Sequence, residues 1–115
     1  MKGSWLIVIR NSLYGNSSVP AGLDMALAAA AFDQSVTVLF ESAGLTALAA
    51  GDSSPIERKN TGRMVGALAL YGVKRILALA ESPEAEKLCR TPGVTLVDRA
   101  QRDALFQTHD MITVF

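Results

Sequence analysis

The sequence predicts a single α/β domain, a three-layer α/β/α arrangement around a mainly parallel five-stranded sheet with flavodoxin-like architecture. Short apolar runs, rich in β-branched residues, alternate along the chain with segments of helix formers. Strands separated by helices pair in parallel, because each crossover returns the chain to the same end of the sheet. The chain has 115 residues, which fits one domain covering residues 1–115.

Five runs have the composition of strands. The first is short, continuous and rich in β-branched residues, as expected for a strand that is buried on both faces of a sheet. The second has the same character. In chain order the predicted strands are Trp5–Ile9, Ser35–Phe40, Arg75–Ala80, Val94–Val97 and Met111–Phe115.

Start and stop signals place helices between these strands. Pro20 opens a segment, Ala21–Phe32, that is rich in strong helix formers. Pro55 stands at the first position of a helix that reaches Tyr71 and ends at Gly72. The remaining predicted helices are Gly44–Ala50, a short helix from Ser82 through Cys89, and Arg99–Thr108.

The composition excludes several classes of function. Eleven Lys and Arg balance eleven Asp and Glu, so no net charge draws the chain to nucleic acid or to an anionic membrane. One Cys excludes an internal disulfide framework and a multi-Cys zinc site, and a single His removes the second imidazole that most metal sites need. We therefore expect no metal, no cofactor and no direct contact with nucleic acid.

The apolar residues do not form a targeting or membrane-spanning segment. The run Trp5–Ile9 is followed directly by Arg10 and is shorter than the core of a signal peptide. The longest apolar run elsewhere, Met25–Phe32, is mostly alanine and far short of a membrane span. We expect a soluble, cytoplasmic protein. Hydrophobic residues make up 50% of the chain, and we expect other subunits to cover part of the apolar surface.

The loop after the first predicted strand is the clearest candidate for a small-molecule site. It contains Ser12, Gly15, Asn16 and Ser17. Such residues bend tightly and expose N–H and hydroxyl groups at a helix N-terminus, where anions are favoured. The loop is thus either an ordinary capped loop or the site of a flavodoxin-like binder of a phosphorylated small molecule or FMN. One Trp and two Tyr offer little to enclose a flavin ring.

Cys89 is the only thiol and hence the only candidate persulfide carrier. Its neighbours Lys87 and Arg90 would favour the thiolate if the side chain were exposed. The alternative is structural, because Ala85, Leu88 and Cys89 would form the apolar face of a short helix. His109 does not complete a catalytic pair, since it and its neighbour enter a strand, where adjacent side chains point apart.

Several segments together resemble a known family. They are Gly22–Ala28, the strand VTVLFESAGL from Val36 to Leu45, Leu70–Val73 before a strand, and the closing His109–Phe115. In this order they are similar to the DsrE/DsrF-like sulfur-relay family, and most closely to its DsrF/TusC branch. At Glu41–Gly44 the chain departs from the acidic-acidic-Gly turn of that branch.

The resemblance implies a subunit of a complex in which related subunits pass persulfide sulfur between cysteines. The sulfur serves thiolation of the tRNA wobble uridine in one lineage and sulfur oxidation in another. The implied partners are DsrE/TusD-like and DsrH/TusB-like subunits in a hetero-oligomer, or further copies of this chain. Gly62 and Gly66 are then expected at subunit contacts.

The resemblance also bears on catalysis. In the DsrE/TusD-like subunit the acceptor cysteine lies just beyond the strand that follows the Tyr-Gly-Val turn. The corresponding stretch here, Ile76–Ser82, contains no Cys, and Cys89 lies outside the motif. The resemblance therefore implies a supporting subunit that is not catalytic on its own. If it transfers sulfur, as a sulfurtransferase, the chemistry leaves only Cys89.

Overall fold

The computed structural model describes residues 3–10, 18–47, 66–81 and 94–115. The strands in these ranges are β1 (Ser4–Ile9), β2 (Ser35–Phe40), β3 (Arg75–Leu79), β4 (Thr95–Val97) and β5 (Met111–Val114). They form one sheet in the order β4-β3-β2-β1-β5, and every neighbouring pair is parallel. The predicted α/β fold with a parallel sheet is confirmed, and the strand bounds agree with the prediction to within one residue.

The described helices are α1 (Ser18–Ala31), a 3-10 helix (Ser42–Ala47), helical residues 66–70 and α2 (Arg99–Thr108). Helix α1 begins at Ser18, before the predicted start at Ala21. Pro20 is tolerated in its first turn, because the N–H that proline lacks would have no partner within the helix. The predicted helix between Ser82 and Cys89 lies outside the described residues. No helix within the described ranges is both long enough and apolar enough to span a membrane.

Gly72 ends the helical residues 66–70, as the sequence predicts. Its φ of 103° is in the region that favours glycine. The N–H of Val73 donates to the carbonyl of Leu68 at 3.0 Å, and that of Gly72 donates to Ala69 at 3.3 Å. This is a Schellman motif, and the contact between the buried Val73 and Leu68 completes it.

Apolar side chains pack on both faces of the sheet. Alternate residues of a strand point to opposite faces, so β1 supplies Ile7 and Ile9 to one cluster and Leu6 and Val8 to the other. Helix α1 and Leu68 cover the first face. Helix α2 lies on the second face, where Leu105 is its one buried residue. The three-layer arrangement of the prediction is therefore present.

Helix α2 begins with a capping box. The N–H of Gln101 donates to Oδ1 of Asp98 at 2.7 Å, and the Asp98 N–H donates to Oε1 of Gln101 at 2.9 Å. Two backbone N–H groups at the helix start are thereby satisfied. This local signal explains why α2 starts at Arg99, the residue predicted from the sequence.

Candidate functional site

Charged side chains collect where the parallel strands end. Arg10 follows β1, Glu41 follows β2, Glu81 follows β3 just after Ala80, and Asp98 follows β4. Because parallel strands all end at the same edge of a sheet, these side chains share the edge at which open α/β sheets bind ligands. Helix α2 also starts at this edge. This edge is therefore the candidate site.

Glu41 is the centre of this edge, and its carboxylate is almost completely buried. Its side chain is 3% exposed. Nε of Arg102 donates to Oε2 at 2.9 Å, and Nη2 of Arg102 donates to Oε1 at 3.0 Å. Nε of Arg10 lies 3.1 Å from Oε1. Two guanidinium groups therefore hold one buried carboxylate, and we call Arg10, Glu41 and Arg102 the arginine clamp.

The arginine clamp satisfies a charge that is costly to bury. A carboxylate in the interior requires both an opposite charge and hydrogen bonds to its oxygens. The fork of Arg102 supplies two parallel hydrogen bonds, the strongest geometry for such a pair. Both oxygens of Glu41 are occupied, so the clamp positions elements of the fold and presents no free general base.

Arg102 is itself held from other sides. Its guanidinium lies 4.4 Å from the centre of the Phe106 ring, and its Nη1 donates to Oδ1 of Asp103 at 3.1 Å. The hydrogen bonds to Glu41 raise the pKa of the Arg102 guanidinium above its ordinary value, although burial opposes the change. Arg102 is therefore a permanent cation in a fixed position, which joins α2 to the end of β2.

A tight turn after β2 brings Glu41 against β1. The Glu41 N–H donates to the carbonyl of Ile9 at 3.0 Å, and Gly44 N–H donates to the carbonyl of Glu41 at 2.9 Å. Ser42 has a positive φ of 54°. A Cβ at Gly44 would overlap the backbone carbonyl of Ile9, so only glycine fits there. The turn that departs from the acidic-acidic-Gly pattern therefore retains the glycine that the packing requires.

The position just beyond β3 carries an ion pair. Ala80 ends the described apolar stretch, and Oε1 of Glu81 lies 2.7 Å from Nη2 of Arg99. Both side chains are more than half exposed, at 58% and 63%. The Glu81 hydrogen bond and charge raise the pKa of the Arg99 guanidinium. An exposed pair of this kind stabilises the fold little, and neither partner is a nucleophile.

The residues singled out from the sequence for ligand or sulfur chemistry lie outside the described residues. They are Ser12, Gly15, Asn16 and Ser17 in the loop after β1, and Cys89 between β3 and β4. Their proposed roles therefore stay predictions. In the described ranges, no group of three or more His, Cys, Asp or Glu side chains is arranged to hold a metal ion.

His109 has a structural environment. Its Nδ1 lies 2.8 Å from the carbonyl of Leu105, and its Nε2 lies 3.1 Å from the hydroxyl of Thr37. A carbonyl only accepts, so Nδ1 carries the hydrogen, and in the neutral ring Nε2 accepts from Thr37. Asp110 instead accepts from Ser4 N at 3.3 Å and Ser4 Oγ at 3.2 Å. The two side chains have different partners, as strand alternation predicts.

Of the two glycines expected at subunit contacts, Gly66 lies within the described residues. A Cβ at Gly66 would meet no atom of the described residues within 4 Å, so this glycine makes no close approach to a backbone in the described part of the chain. Gly62 lies outside the described residues. A role of either glycine between subunits stays a prediction.

Sequence reasoning did not find the arginine clamp. A signal was present, because Glu41 directly follows the apolar strand SVTVLF and must lie at the edge of the sheet. Its partner Arg102 is 61 residues away in the chain. Only the path of α2 across the sheet brings the two together, and the sequence does not specify that path.

Comparisons with known proteins agree with this fold. The model of the DsrE/DsrF-like family matches residues 4–80. A Pseudomonas aeruginosa protein described as a TusC homolog is 33% identical over an alignment of 119 positions, which covers 99% of this chain and 100% of that protein. The match thus extends past the end of the family model, through α2 and β5.

A solved structure has the same fold. The crystal structure of the ychN protein from E. coli superposes with a TM-score of 0.79 and covers 100% of both chains. The sequence identity is 18%, so this likeness concerns the fold alone. It extends the architecture described above to a chain of very different sequence.

Proposed function

The chain belongs to the DsrE/DsrF-like family, and from this membership we propose that it is a supporting subunit of a sulfur-relay complex. In this proposal the complex passes persulfide sulfur in the cytoplasm, toward thiolation of tRNA or toward sulfur oxidation. The partners are DsrE/TusD-like and DsrH/TusB-like subunits, and the acceptor thiol belongs to one of them.

The observation that carries the supporting role is the chemistry just beyond β3. This is where the resemblance places the acceptor cysteine of the DsrE/TusD-like subunit. The described chain has Ala80 and the ion-paired Glu81 there, and a carboxylate bound to Arg99 cannot accept sulfane sulfur. The residues at this position support the proposal that another subunit of the complex supplies the thiol.

Exposed apolar side chains are consistent with assembly. Met111, Ile112 and Val114 of β5 are 49%, 38% and 54% exposed. Phe32 and Tyr71 are also exposed. Ile112 and Val114 share one face of β5, because residues two apart in a strand point the same way, and exposed apolar surface of this kind is consistent with contact with another protein.

Sulfur transfer by this chain would have a defined chemistry. The thiolate of Cys89 would attack the terminal sulfur of a donor persulfide, and the donor's inner sulfur would leave as a thiolate with the electron pair. Cys89 would then hold the sulfur as a persulfide. A supporting subunit does not need this step, so labelling distinguishes the two versions.

Two measurements test the proposal. In the first, the chain is co-expressed with DsrE/TusD-like and DsrH/TusB-like proteins from the same organism, and native mass spectrometry gives the subunit composition. We expect a hetero-oligomer containing this chain. A stable homo-oligomer that binds neither partner would contradict the proposed relay complex.

The second measurement follows the sulfur. The assembled complex is incubated with a cysteine desulfurase and cysteine, and each subunit is weighed for a gain of one sulfur atom. We expect the gain on the DsrE/TusD-like subunit and none on this chain. A gain on this chain that disappears in Cys89→Ser would refute the supporting role and establish Cys89 as a carrier.

A further inference from the structure

Helix α2 covers only part of its face of the sheet. Arg102 and His109 attach it to Glu41 and Thr37, the two ends of β2 on that face. A sheet of five strands is about 20 Å wide between its outer strands, whereas a helix with its side chains is about 10 Å across. The helix thus covers Leu77 and Leu79 of β3, which are buried with Leu105, and leaves uncovered the region around the exposed Arg75 and Thr95.

A groove of about 560 Å³ lies in this uncovered region. Its apolar floor consists of Leu77, Val97 and Leu105. On the helix side the exposed residues Ala104 and Thr108 form the wall. Ala104 has the smallest side chain of this wall, so an extended backbone can approach the helix there.

One end of the groove is basic. Lys74 and Arg75 line it, and both are exposed. Arg75 lies on the same face of β3 as Leu77, because residues two apart in a strand share a face. Within the described part of the chain, neither cation forms an ion pair. None of the described residues lining the groove is acidic.

The open shape of the groove indicates the size of its occupant. Pockets for small molecules enclose the ligand and bury about 70–90% of its surface. Here Thr95, Ala104 and Thr108 are all exposed along the groove, which is thus open on its solvent side. A groove with an apolar floor and one cationic end matches an extended peptide with apolar and acidic side chains.

We propose that this groove, which we call the β3–α2 groove, binds an acidic, apolar peptide segment of a partner subunit. An apolar side chain of the segment contacts the half-buried Val97, above the nearly buried Leu77 and Leu105, and a carboxylate pairs with the exposed Arg75. The assignment of the segment to a relay subunit rests on the proposed function. The chemistry of the groove does not depend on it.

Peptide binding tests the groove directly. The probe is a fluorescein-labelled peptide, Leu-Glu-Leu-Asp-Leu, and the control peptide is its uncharged analogue, Leu-Gln-Leu-Asn-Leu. Fluorescence anisotropy with the full chain is expected to show weaker binding of the uncharged peptide by about two- to fivefold, since exposed ion pairs contribute up to about 1 kcal/mol. Raising the salt concentration should weaken only the acidic peptide.

Variants identify the cation. Arg75→Glu should reduce binding of the acidic peptide by about threefold or more, because it removes the exposed ion pair and adds a repulsive charge, and Arg75→Lys should retain most of it. Gln107→Glu is the control, because it introduces the same residue at an exposed position of α2 that does not line the groove, and it should leave the affinity unchanged. Equal binding of both peptides, or equal loss in both glutamate variants, would overturn the proposal. The salt and control-peptide arms remain decisive if Arg75→Glu fails to fold.

The same variants separate this inference from the proposed function. In co-expression with the two partner subunits, Arg75→Glu should lower the recovery of the complex and Gln107→Glu should not. If the unchanged chain itself forms no complex, the relay proposal fails while the peptide result stands. If the complex forms but Arg75→Glu leaves both peptide binding and recovery unchanged, only the groove is refuted.

Discussion

Arg102 and Glu41 form a two-point ion pair that fastens α2 to the end of β2 across 61 residues of chain. The carboxylate is buried and the guanidinium is 23% exposed. The pair therefore contributes through geometry and hydrogen bonding, unlike an exposed surface pair. It joins α2 to the charged edge of the sheet through two hydrogen bonds.

Arg102→Ala should destabilise the protein by about 3 kcal/mol, because it leaves a buried carboxylate with only the half-exposed Arg10 as a partner. Urea unfolding measures the change. The control is Arg99→Ala, which removes an exposed pair with Glu81 and should leave the unfolding midpoint unchanged. Equal losses of stability in the two variants would show that the arginine clamp stabilises the fold no more than an exposed ion pair does.

Replacing glycine by alanine should have opposite effects at two positions. Gly44→Ala should destabilise by about 3 kcal/mol or lose the fold, because its Cβ would overlap the Ile9 carbonyl. Gly66→Ala should stabilise by about 0.5–1 kcal/mol, because the helical position has open space. Thermal unfolding of the pair gives both signs. A loss of stability in Gly66→Ala would contradict the open space.

Thr37→Val should destabilise by about 1–3 kcal/mol, because it removes the hydroxyl that donates to Nε2 of His109 without changing the side-chain shape. The same substitution at Thr113, a half-buried residue of β5, serves as the control and should change stability by less than about 0.5 kcal/mol. Chemical denaturation compares the two. Similar values would mean that His109 does not depend on Thr37.

Gly72→Ala should cost about 1–2 kcal/mol, because the positive φ of residue 72 disfavours any side chain. The nearest atom to an added Cβ is the Cβ of Ala30 at 3.8 Å, so the loss reflects the backbone and not a collision. Gly72→Asn should lose less, since asparagine tolerates this region better. Thermal unfolding that ranks Asn below Ala would contradict a backbone origin.

Local patterns made most of the fold predictable. β2 and α2 have the bounds that the sequence predicts. The bounds of β2 follow from an apolar run between polar residues, and those of α2 from an amphipathic segment with a capping residue. Gly72 ends its helix for a reason that lies entirely within its own turn. The start of α1 was less predictable, because a first-turn proline is compatible with more than one starting residue.

The contacts of the candidate site were less predictable because they are not local. Glu41 can be placed at the edge of the sheet from its strand, but its pairing with Arg10 and Arg102 depends on how β1, β2 and α2 come together. His109 is similar, since its contact with Thr37 spans 72 residues. A pattern in the sequence gives the face of each element and not the partner across it.

The two attachments of α2 to β2 require the spacing of the attached residues to match in the helix and in the strand. Arg102 and His109 are seven residues apart, two helical turns, so both side chains face the sheet across about 10 Å. Thr37 and Glu41 are four residues apart in a strand, which places both on that face across about 13 Å. Inserting or deleting one residue between either pair would turn one attachment away by about 100° in the helix or to the opposite face in the strand. The number of residues between Arg102 and His109, and between Thr37 and Glu41, is thus constrained, as are the four residues themselves.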